Sequence, residues 1–313
     1  MSLASDVLST VRNSLAASVG HMWNRLRRAP ADCHLFGVNL PVSTQEKFDY
    51  CDHWSSNASH FVRQGCYEWM AAQLSPLQPK RVFDIGCGTG EGVAAMLRQF
   101  GCTIISIDEN AACIMRAEEA LRAQWSSVQS MFRLGYRGFD DGSHDIAFDQ
   151  TPIVPAAQVM LLHADILVDD PAVLQFLASA PKFDAVTVWL IGTFMYRRTC
   201  RNISNLKIAD PDSYRLRVQN RVYKLAAQVL RPGGWLQVVD RGEPPTEQFL
   251  LEDVFKAHRE QASPTDLEVF SVQHREYVES TSGIRMVVST PTSGRTSDLT
   301  KLAMVSVLSR KPP

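Results

Sequence analysis

Three glycines at alternate positions form the most chemically informative segment, Asp84-Ile-Gly86-Cys-Gly88-Thr-Gly90. The segment follows a short apolar run and precedes a stretch with helical spacing, so it predicts a strand-to-helix turn. Glycine tolerates positive φ and has no Cβ, which allows a ligand to lie directly on the backbone. The spacing differs from the Gly-x-Gly-x-x-Gly of dinucleotide sites. A ligand-binding turn with an acid two residues before it is therefore expected.

Acidic residues also stand at the ends of two later strands. Asp108 and Glu109 follow the apolar run Thr103–Ile107, and Asp165 with Ile166 follows the run Val159–His163. The carboxyl ends of parallel strands meet at one edge of a sheet, where ligands of open α/β folds bind. These residues are therefore expected at the same edge as the glycine turn.

With these residues, the sequence resembles the class I S-adenosylmethionine-dependent methyltransferases, whose first motif has the form acid-x-Gly-x-Gly-x-Gly. The segment Leu230-Arg-Pro-Gly-Gly-Trp-Leu236 also resembles this family's entry to its fifth strand. The resemblance covers about residues 80 to 240. It implies an α/β, Rossmann-like class I methyltransferase fold, with a mostly parallel seven-stranded sheet and helices on both faces. It also implies S-adenosyl-L-methionine as cofactor.

The resemblance assigns roles to residues of the glycine turn. Asp84 would contact the methionyl ammonium, directly or through water, and Gly86, Gly88 and Gly90 would bed the amino-acid tail. Trp189, on the fourth strand, would approach the cofactor from the strand tip, or is equally well explained as a core aromatic residue.

The other end of the cofactor would meet the acids at the strand tips. By resemblance, Asp108, with Glu109 beside it, would hold the two ribose hydroxyls. Asp165 would accept the adenine amino group, and Ile166 would lie beside the adenine ring.

Apolar runs alternate with helical stretches after residue 80, which predicts a parallel sheet covered by helices. The predicted strands are 81–85, 103–107, 159–163, 183–190 and 235–239. Long helices are predicted at about 212–230 and 246–261. The C-terminal segment offers three further strand candidates, 267–278, 284–289 and 302–308, where the family fold needs two. The pattern alone does not choose between them.

We predict an N-terminal helical segment and lid over residues 1–75, followed by the methyltransferase domain over 76–313. Residues 44–74 read as one or two aromatic-rich helices. An inserted flap is predicted at about 126–157, with a hairpin tip at Asp140-Asp-Gly142 between Phe132–Tyr136 and Ile146–Phe148. The lid is expected to close over the cofactor.

The first thirty residues are rich in Arg and Ser, which is the composition of a transit peptide. They also carry apolar residues at steps of three and four, which favours an amphipathic helix that packs or forms a homodimer. The apolar positions are Leu8, Val11, Leu15, Val19, Met22 and Leu26.

Composition excludes several classes of partner. The 32 Lys and Arg against 33 Asp and Glu leave a net charge of −1, so no broad positive field favours nucleic acid. The longest uncharged apolar stretch, 185–196, is too short to cross a bilayer.

The seven cysteines are scattered and lack Cys-x-x-Cys spacing, so we expect neither a structural zinc nor a disulfide framework, but a reducing cytoplasmic location.

The expected function is methyl transfer to a small organic acceptor by in-line displacement. The aromatic residues Tyr50, Trp54, Phe194 and Tyr196 are the candidate acceptor contacts, and are equally well explained as core residues. His53, in the centre of the lid's aromatic cluster, is the first candidate for a general base, with His60, Asp240 and Glu243 behind it. No metal is expected.

Three alternatives remain open at this stage. The acceptor could be a protein or peptide, which would need an open acidic groove. The chain could instead be a catalytically silent family member that acts as a partner subunit. An aminopropyltransferase shares the general fold, but no Asp pair follows the fourth strand to hold a diamine.

The basic run 196–201 either binds an acidic group or is a solvated helix edge.

Overall fold

The central strands are apolar on both faces, as buried parallel strands require. The computed structural model describes residues 44–192, 195–280 and 302–313. The helices are α1 (Thr44–Arg63), α2 (Cys66–Ala72), α3 (Glu91–Phe100), α4 (Ala111–Arg122), α5 (Pro171–Ser179), α6 (Pro211–Val229) and α7 (Gln248–Ala262). Two short 3-10 helices span Met195–Thr199 and Arg201–Leu206. In the ranges described, each helix is too short or too polar to span a bilayer.

The strands form one large sheet and one hairpin. They are β1 (Arg81–Ile85), β2 (Thr103–Asp108), β3 (Val128–Phe132), β4 (Leu134–Gly138), β5 (His144–Phe148), β6 (Val159–His163), β7 (Phe183–Trp189), β8 (Leu230–Gly242), β9 (Glu268–Tyr277) and β10 (Leu302–Arg310). The sheet order is β3-β6-β2-β1-β7-β8-β10-β9. Neighbours from β3 to β8 are parallel, and β10 is antiparallel to both β8 and β9.

This arrangement confirms the predicted α/β class with a mostly parallel sheet. The sheet has eight strands where seven were expected, because Val128–Phe132 pairs in parallel with β6 from Val128 opposite Val159 to Phe132 opposite His163. Residues 128–132, which were predicted to belong to the flap, therefore form an edge strand of the main sheet. Their backbone groups pair with those of β6. The predicted hairpin is present as β4 and β5 with Tyr136 opposite Ile146; its first strand begins two residues later than predicted, and its second strand begins two residues earlier.

Alternation along the strands builds two cores. Val82 and Ile104 face one side of the sheet with α1 to α4, and Phe83 and Ile105 face the other with α5 to α7. Successive side chains of a strand point to opposite faces, so the same short runs supply both cores. The two layers of helices follow from this double burial.

Two differences from the predicted elements are local. The helix α5 was not predicted; it begins at Asp170, whose side chain accepts the amide hydrogens of Ala172 and Val173. Strand β8 begins at Leu230, and the Arg-Pro-Gly-Gly segment forms an irregularity in its pairing with β7, between Leu230 opposite Phe183 and Trp235 opposite Ala185. Two of the three C-terminal candidates form β9 and β10. The third, 284–289, and the helix predicted near residues 8–26 lie outside the described residues.

The first helix is anchored at its C-terminal end. Gly65 has φ +66° and separates α1 from α2. Arg275, on β9, donates to the carbonyl oxygens of Gln64 at 2.6 Å and of Gly65 at 3.1 Å. A cation that satisfies the last carbonyls of a helix fixes that end. The helices share the sheet's core through residues such as Phe61 and Met70, while the predicted domain boundary at residue 75 stays a prediction.

A buried arginine holds the connection between β3 and the hairpin. Arg133 pairs with Asp170 at 2.9 Å and also donates to the carbonyl oxygens of Asp149 at 2.5 Å and Thr151 at 2.7 Å. Both side chains of the ion pair are almost completely buried. A charge left alone in such a place is costly, because it is removed from water without a partner.

We expect Arg133→Met to lower the free energy of unfolding by about 3–5 kcal/mol, since it leaves the buried charge of Asp170 without its counter-ion. Urea denaturation measures the change. Arg98→Met is the matched control, because the Arg98–Glu68 pair is half exposed and such pairs contribute about 0–1 kcal/mol. The double variant Arg133→Met with Asp170→Asn should be more stable than Arg133→Met alone, since asparagine keeps the helix cap without the charge. A loss below about 1 kcal/mol for Arg133→Met would contradict this account.

Candidate functional site

The glycine turn lies between β1 and α3 with three left-handed residues. The φ angles of Gly86, Gly88 and Gly90 are +87°, +51° and +96°. A Cβ on Gly86 would lie 2.9 Å from Cδ1 of Ile191, and one on Gly88 would collide with the indole of Trp54. Both the backbone angles and the close neighbours therefore require glycine at this turn. Close approach to the backbone is possible only without these side chains.

Asp84 lies beneath this turn in the middle of the sheet. Its carboxylate accepts a hydrogen bond from Ser106 on β2 at 2.5 Å and from Thr187 on β7 at 2.7 Å. Burial raises the pKa of Asp84, and the two hydroxyl donors partly oppose this rise. Asp84 therefore ties β1 to both neighbouring strands just before the turn.

Asp108, at the end of β2, connects the turn to the next helix. One carboxylate oxygen accepts the amide hydrogen of Gly88 and the other that of Asn110, each at 2.9 Å. Burial and the neighbouring Glu109 raise the pKa of Asp108, while the two amides lower it. Each oxygen keeps a further lone pair for a ligand hydroxyl.

A pocket opens at the carboxyl ends of β1, β2 and β7. The space within it that protein atoms leave free, counted out to its open mouth and including solvent there, is about 520 Å³. It is lined by Tyr50, Trp54, Ile85, Gly86, Gly88, Ile107, Asp108, Glu109, Cys113, Ala164, Ile166, Leu190, Ile191, Gly192, Tyr214 and Val218. In the sheet, β1 has β2 as its neighbour on one side and β7 on the other, so the order of the strands reverses direction at β1. The pocket therefore lies at the switch point where α/β sheets bind ligands.

Helix α1 forms the outer wall of the pocket. The indole of Trp54 lies against the backbone of Gly88, and the hydroxyl of Tyr50 lies so close to Gly192 that a Cβ there would collide with it. Tyr50 and Trp54 are the two predicted acceptor contacts that the structure brings to the pocket. Their rings cover the turn from the side opposite the sheet.

Asp165 has a partner within the chain that the sequence did not reveal. Ile166 lines the pocket, whereas the carboxylate of Asp165 forms an ion pair with the buried Arg197. Arg197 also donates to the hydroxyl of Tyr214 at 2.7 Å. The basic run 196–201 is therefore divided, because Arg197 is buried in an ion pair while Arg201 is exposed and pairs with Asp141.

A second group of polar side chains surrounds the backbone of Glu109. The carbonyl oxygen of Glu109 accepts from Tyr136 at 3.3 Å and lies 3.2 Å from Nε2 of His163. The ammonium of Lys47 lies 3.6 Å from the ring centre of Tyr136. Burial lowers the pKa of Lys47 to about 8, and burial with nearby Lys47 lowers that of His163 to about 3. Sequence reasoning missed this cluster, which joins four separate elements.

The remaining predicted residues are placed as follows. His53 is exposed on α1 and does not line the pocket. Trp189 donates to Gln237 at 3.0 Å, packs against Gly92, and borders a small cavity next to Asp84. Phe194 lies outside the described residues, as does the side chain of Tyr196.

The other candidates for a base are also engaged by the chain. His60 lies 2.8 Å from the carbonyl oxygen of Val278. Asp240 accepts a hydrogen bond from Gln219, and burial raises the pKa of Asp240 to about 6. Neither residue lines the pocket. Over the ranges that the structure describes, no three His, Cys, Asp or Glu side chains converge as a metal site.

Comparison with known proteins finds similarity in structure but not in sequence. No family model matches the chain, and no curated protein matches it. Among solved structures, the N-methyltransferase NodS from Bradyrhizobium japonicum is 13% identical with a TM-score of 0.39, over 78% of this chain and 94% of NodS. A second NodS structure, in complex with S-adenosyl-L-homocysteine, is 12% identical with a TM-score of 0.38, over 78% and 86%. A SAM-dependent methyltransferase from Methanosarcina mazei is 14% identical with a TM-score of 0.39, over 74% and 92%.

Similarity at such low identities and TM-scores says nothing about activity. The fold is therefore assigned from the topology of the chain itself. Five parallel strands in the order β6-β2-β1-β7-β8, extended by the antiparallel β10 and then β9, with helices on both faces, form the expected class I methyltransferase fold. The left-handed glycine turn follows β1, and the acid Asp108 ends β2. The fold thus places Gly86, Gly88 and Asp108 at one pocket, and Asp84 at a small cavity that shares Gly86 with it.

The buried His163 predicts a specific dependence of stability on pH. Its pKa is lowered to about 3 in the folded protein, against about 6.5 in an unfolded chain. Between these values the unfolded state binds the extra proton, so this residue destabilises the fold as the pH falls below 6.5. The stability of the wild type minus that of His163→Gln should fall by about 1.4 kcal/mol per pH unit from pH 6.5 to pH 4.5.

Urea denaturation of both proteins across pH 4.5–8 measures this difference. It should be constant above pH 7, where the imidazole is neutral in both states, which serves as an internal control. Parallel stability curves over the whole range would mean that His163 takes up its proton in the folded protein as readily as in the unfolded one.

Proposed function

We propose that the chain is an S-adenosylmethionine-dependent methyltransferase that acts on a small organic acceptor. The observation that carries the proposal is the left-handed glycine turn, which meets the buried carboxylate of Asp108 at one pocket, while the carboxylate of Asp84 lies at a small cavity that also borders Gly86. A backbone surface without Cβ atoms beside acids at the strand ends suits a ligand that is cationic at one end and carries ribose hydroxyls.

The charge of the site favours this cofactor over a dinucleotide. Asp108 and Glu109 line the pocket, and Glu91 occupies the first position of α3, where its carboxylate accepts from Thr89 at 2.7 and 2.8 Å. An acid at the start of this helix takes the place where a pyrophosphate would bind. The sulfonium and ammonium of S-adenosylmethionine instead complement these negative charges.

The proposed contacts follow the order of the strands. Asp84 would face the ammonium, and Gly86, Gly88 and Gly90 would bed the amino-acid tail. Asp108, with Glu109, would accept the ribose hydroxyls, and Ile166 would pack on the adenine. Asp165 would reach the adenine amino group while it remains paired with Arg197. Trp189 supports the turn by packing on Gly92, at the start of α3.

Bound S-adenosylmethionine would supply a methyl group already activated by its sulfonium. The chain then has to align the acceptor and exclude water, which suits the apolar wall of Leu190, Ile191 and Trp54. Tyr50 provides a hydroxyl at the same wall for orienting the acceptor. His53 receives no role as base, since its imidazole is exposed outside the pocket.

A small acceptor is favoured over a protein because α1 covers the pocket. A peptide substrate needs an open groove, whereas Tyr50 and Trp54 close this one from above. Helices α1 and α2 are then the lid expected from the sequence. Since both rings lie against the pocket backbone, ligand entry requires the N-terminal half of α1 to move.

The test of the proposed function is calorimetry with S-adenosylhomocysteine, the demethylated cofactor. The wild type should bind it, and Asp108→Asn should bind about 10- to 150-fold more weakly, since a lost charged hydrogen bond costs about 1.5–3 kcal/mol. Asp141→Asn, at the exposed hairpin tip, is the matched control and should bind like the wild type. Thermal denaturation of each variant verifies folding. A wild type that does not bind would overturn the proposal.

The lid predicts a change in hydrogen exchange on binding. With S-adenosylhomocysteine present, the amides of residues 47–61 should exchange more slowly, because the ligand adds contacts under α1. Helix α5, on the other face of the sheet, should be unchanged. Equal exchange of residues 47–61 in both states, with binding established by calorimetry, would make α1 a static wall.

A further inference from the structure

Two cysteines join the lid helix to the sheet domain beside the pocket. Cys51 on α1 and Cys113 on α4 are 0% and 1% exposed and share a small apolar cluster with Phe48 and Ala112. Their thiols lie within this same cluster, and each alters the pKa of the other. Both thiols are free, so the two sulfurs must still approach to an S–S distance of about 2.05 Å before a bond can form.

The pair lies where a bond would control access to the pocket. Cys113 lines the pocket, and Cys51 follows Tyr50, whose ring covers Gly192. The same face of α1 carries Trp54, which covers the glycine turn. A covalent link at Cys51 would therefore hold both aromatic side chains over the pocket.

The other contacts between these two helices are reversible. The side chain of Asn110 donates to the carbonyl oxygen of Lys47 at 3.0 Å, and Arg116 pairs with Asp52 at the protein surface. A hydrogen bond and an exposed ion pair contribute about 1 kcal/mol each, so they permit α1 to open. The far end of α1 stays anchored by Arg275, which leaves the N-terminal half as the moving part.

The two thiols are also chemically unequal. The interaction with Cys113 and the positive charge of Arg116 lower the pKa of Cys51, whereas the interaction with Cys51 and burial raise the pKa of Cys113. Thiolates are the nucleophiles of thiol–disulfide exchange, so Cys51 is the sulfur that reacts first.

We propose that Cys51 and Cys113 are a redox modification site, and that a reversible disulfide between them holds α1 closed and blocks ligand exchange at the pocket. The formation of the bond stands on the thiol pair alone. Its effect on ligand exchange rests on the proposed function.

The oxidant is a low-molecular-weight disulfide such as oxidised glutathione. When α1 opens, the thiolate of Cys51 attacks one sulfur of the oxidant, whose S–S bond breaks and releases one thiolate that takes up the proton of Cys51. On closure, the thiolate of Cys113 attacks the sulfur of Cys51 in this mixed disulfide and releases the second thiol, which receives the proton of Cys113. The protein pair loses two electrons, and the oxidant gains them as two thiols.

The bond itself is tested on the full chain by treatment with oxidised glutathione, rapid alkylation of free thiols and peptide mapping by mass spectrometry. The expected product is a peptide pair linked through Cys51 and Cys113, absent after reduction with dithiothreitol. Cys51→Ser and Cys113→Ser should each abolish it. Cys200→Ser, in a cluster under the hairpin, is the matched control and should retain it. Absence of the linked pair from the oxidised wild type overturns the proposal.

The closure is tested by two readouts on the same oxidised protein. Hydrogen exchange of residues 47–61 should slow at least tenfold on oxidation and recover with dithiothreitol. The association rate of S-adenosylhomocysteine should fall at least tenfold, and Cys51→Ser after the same treatment should associate like the reduced protein. A linked protein with unchanged exchange and unchanged association overturns the closing role. If the reduced wild type does not bind the ligand, the proposed function fails, while the linked peptides and hydrogen exchange still decide the disulfide and its hold on α1.

Discussion

The carboxylate of Asp84 is the contact on which the geometry of the pocket depends. It accepts hydrogen bonds from Ser106 and Thr187, so it joins the three strands whose ends form the pocket floor. A buried carboxylate with neither partner would be costly, and burial already raises its pKa. The strand ends are thereby held in register, and the glycine turn begins two residues later from a fixed position. Asp108 then holds the turn from β2 through the amide of Gly88.

The pocket is formed by two parts with different mechanical properties. Its floor consists of buried parallel strands, whereas its outer wall is the N-terminal half of α1, held to α4 by a hydrogen bond, an ion pair and a thiol contact. The opposite end of α1 is tied to β9 by Arg275. Under the proposed function, the N-terminal half of α1 is the part that has to move, because the opposite end is anchored to the sheet. Water exclusion and ligand entry are therefore compatible in one fold.

The polar residues next to the pocket are satisfied mostly within the chain. Arg197 pairs with Asp165 and donates to Tyr214, and the carbonyl of Glu109 accepts from Tyr136. Such a network gives little net stability, because removing the charges from water offsets their attraction. The network mainly fixes positions, since it joins the hairpin, the 3-10 segment and the strand ends around one side of the pocket. The hairpin thus shapes the site from behind Glu109 and does not line it.

The sequence by itself determined the fold class, most strand positions and the glycine turn, because each depends on local patterns such as apolar runs, φ > 0 at glycine and acids at strand ends. It could not place Val128–Phe132 in the main sheet. The position of this edge strand depends on its pairing with β6, which the residues of the strand do not reveal by themselves. It also could not pair Arg197 with Asp165 or bring Cys51 to Cys113, or turn His53 outwards while Trp54 faces the turn. These outcomes depend on how α1 and the 3-10 segment pack on distant elements, and only the tertiary structure decides which face of a helix is buried.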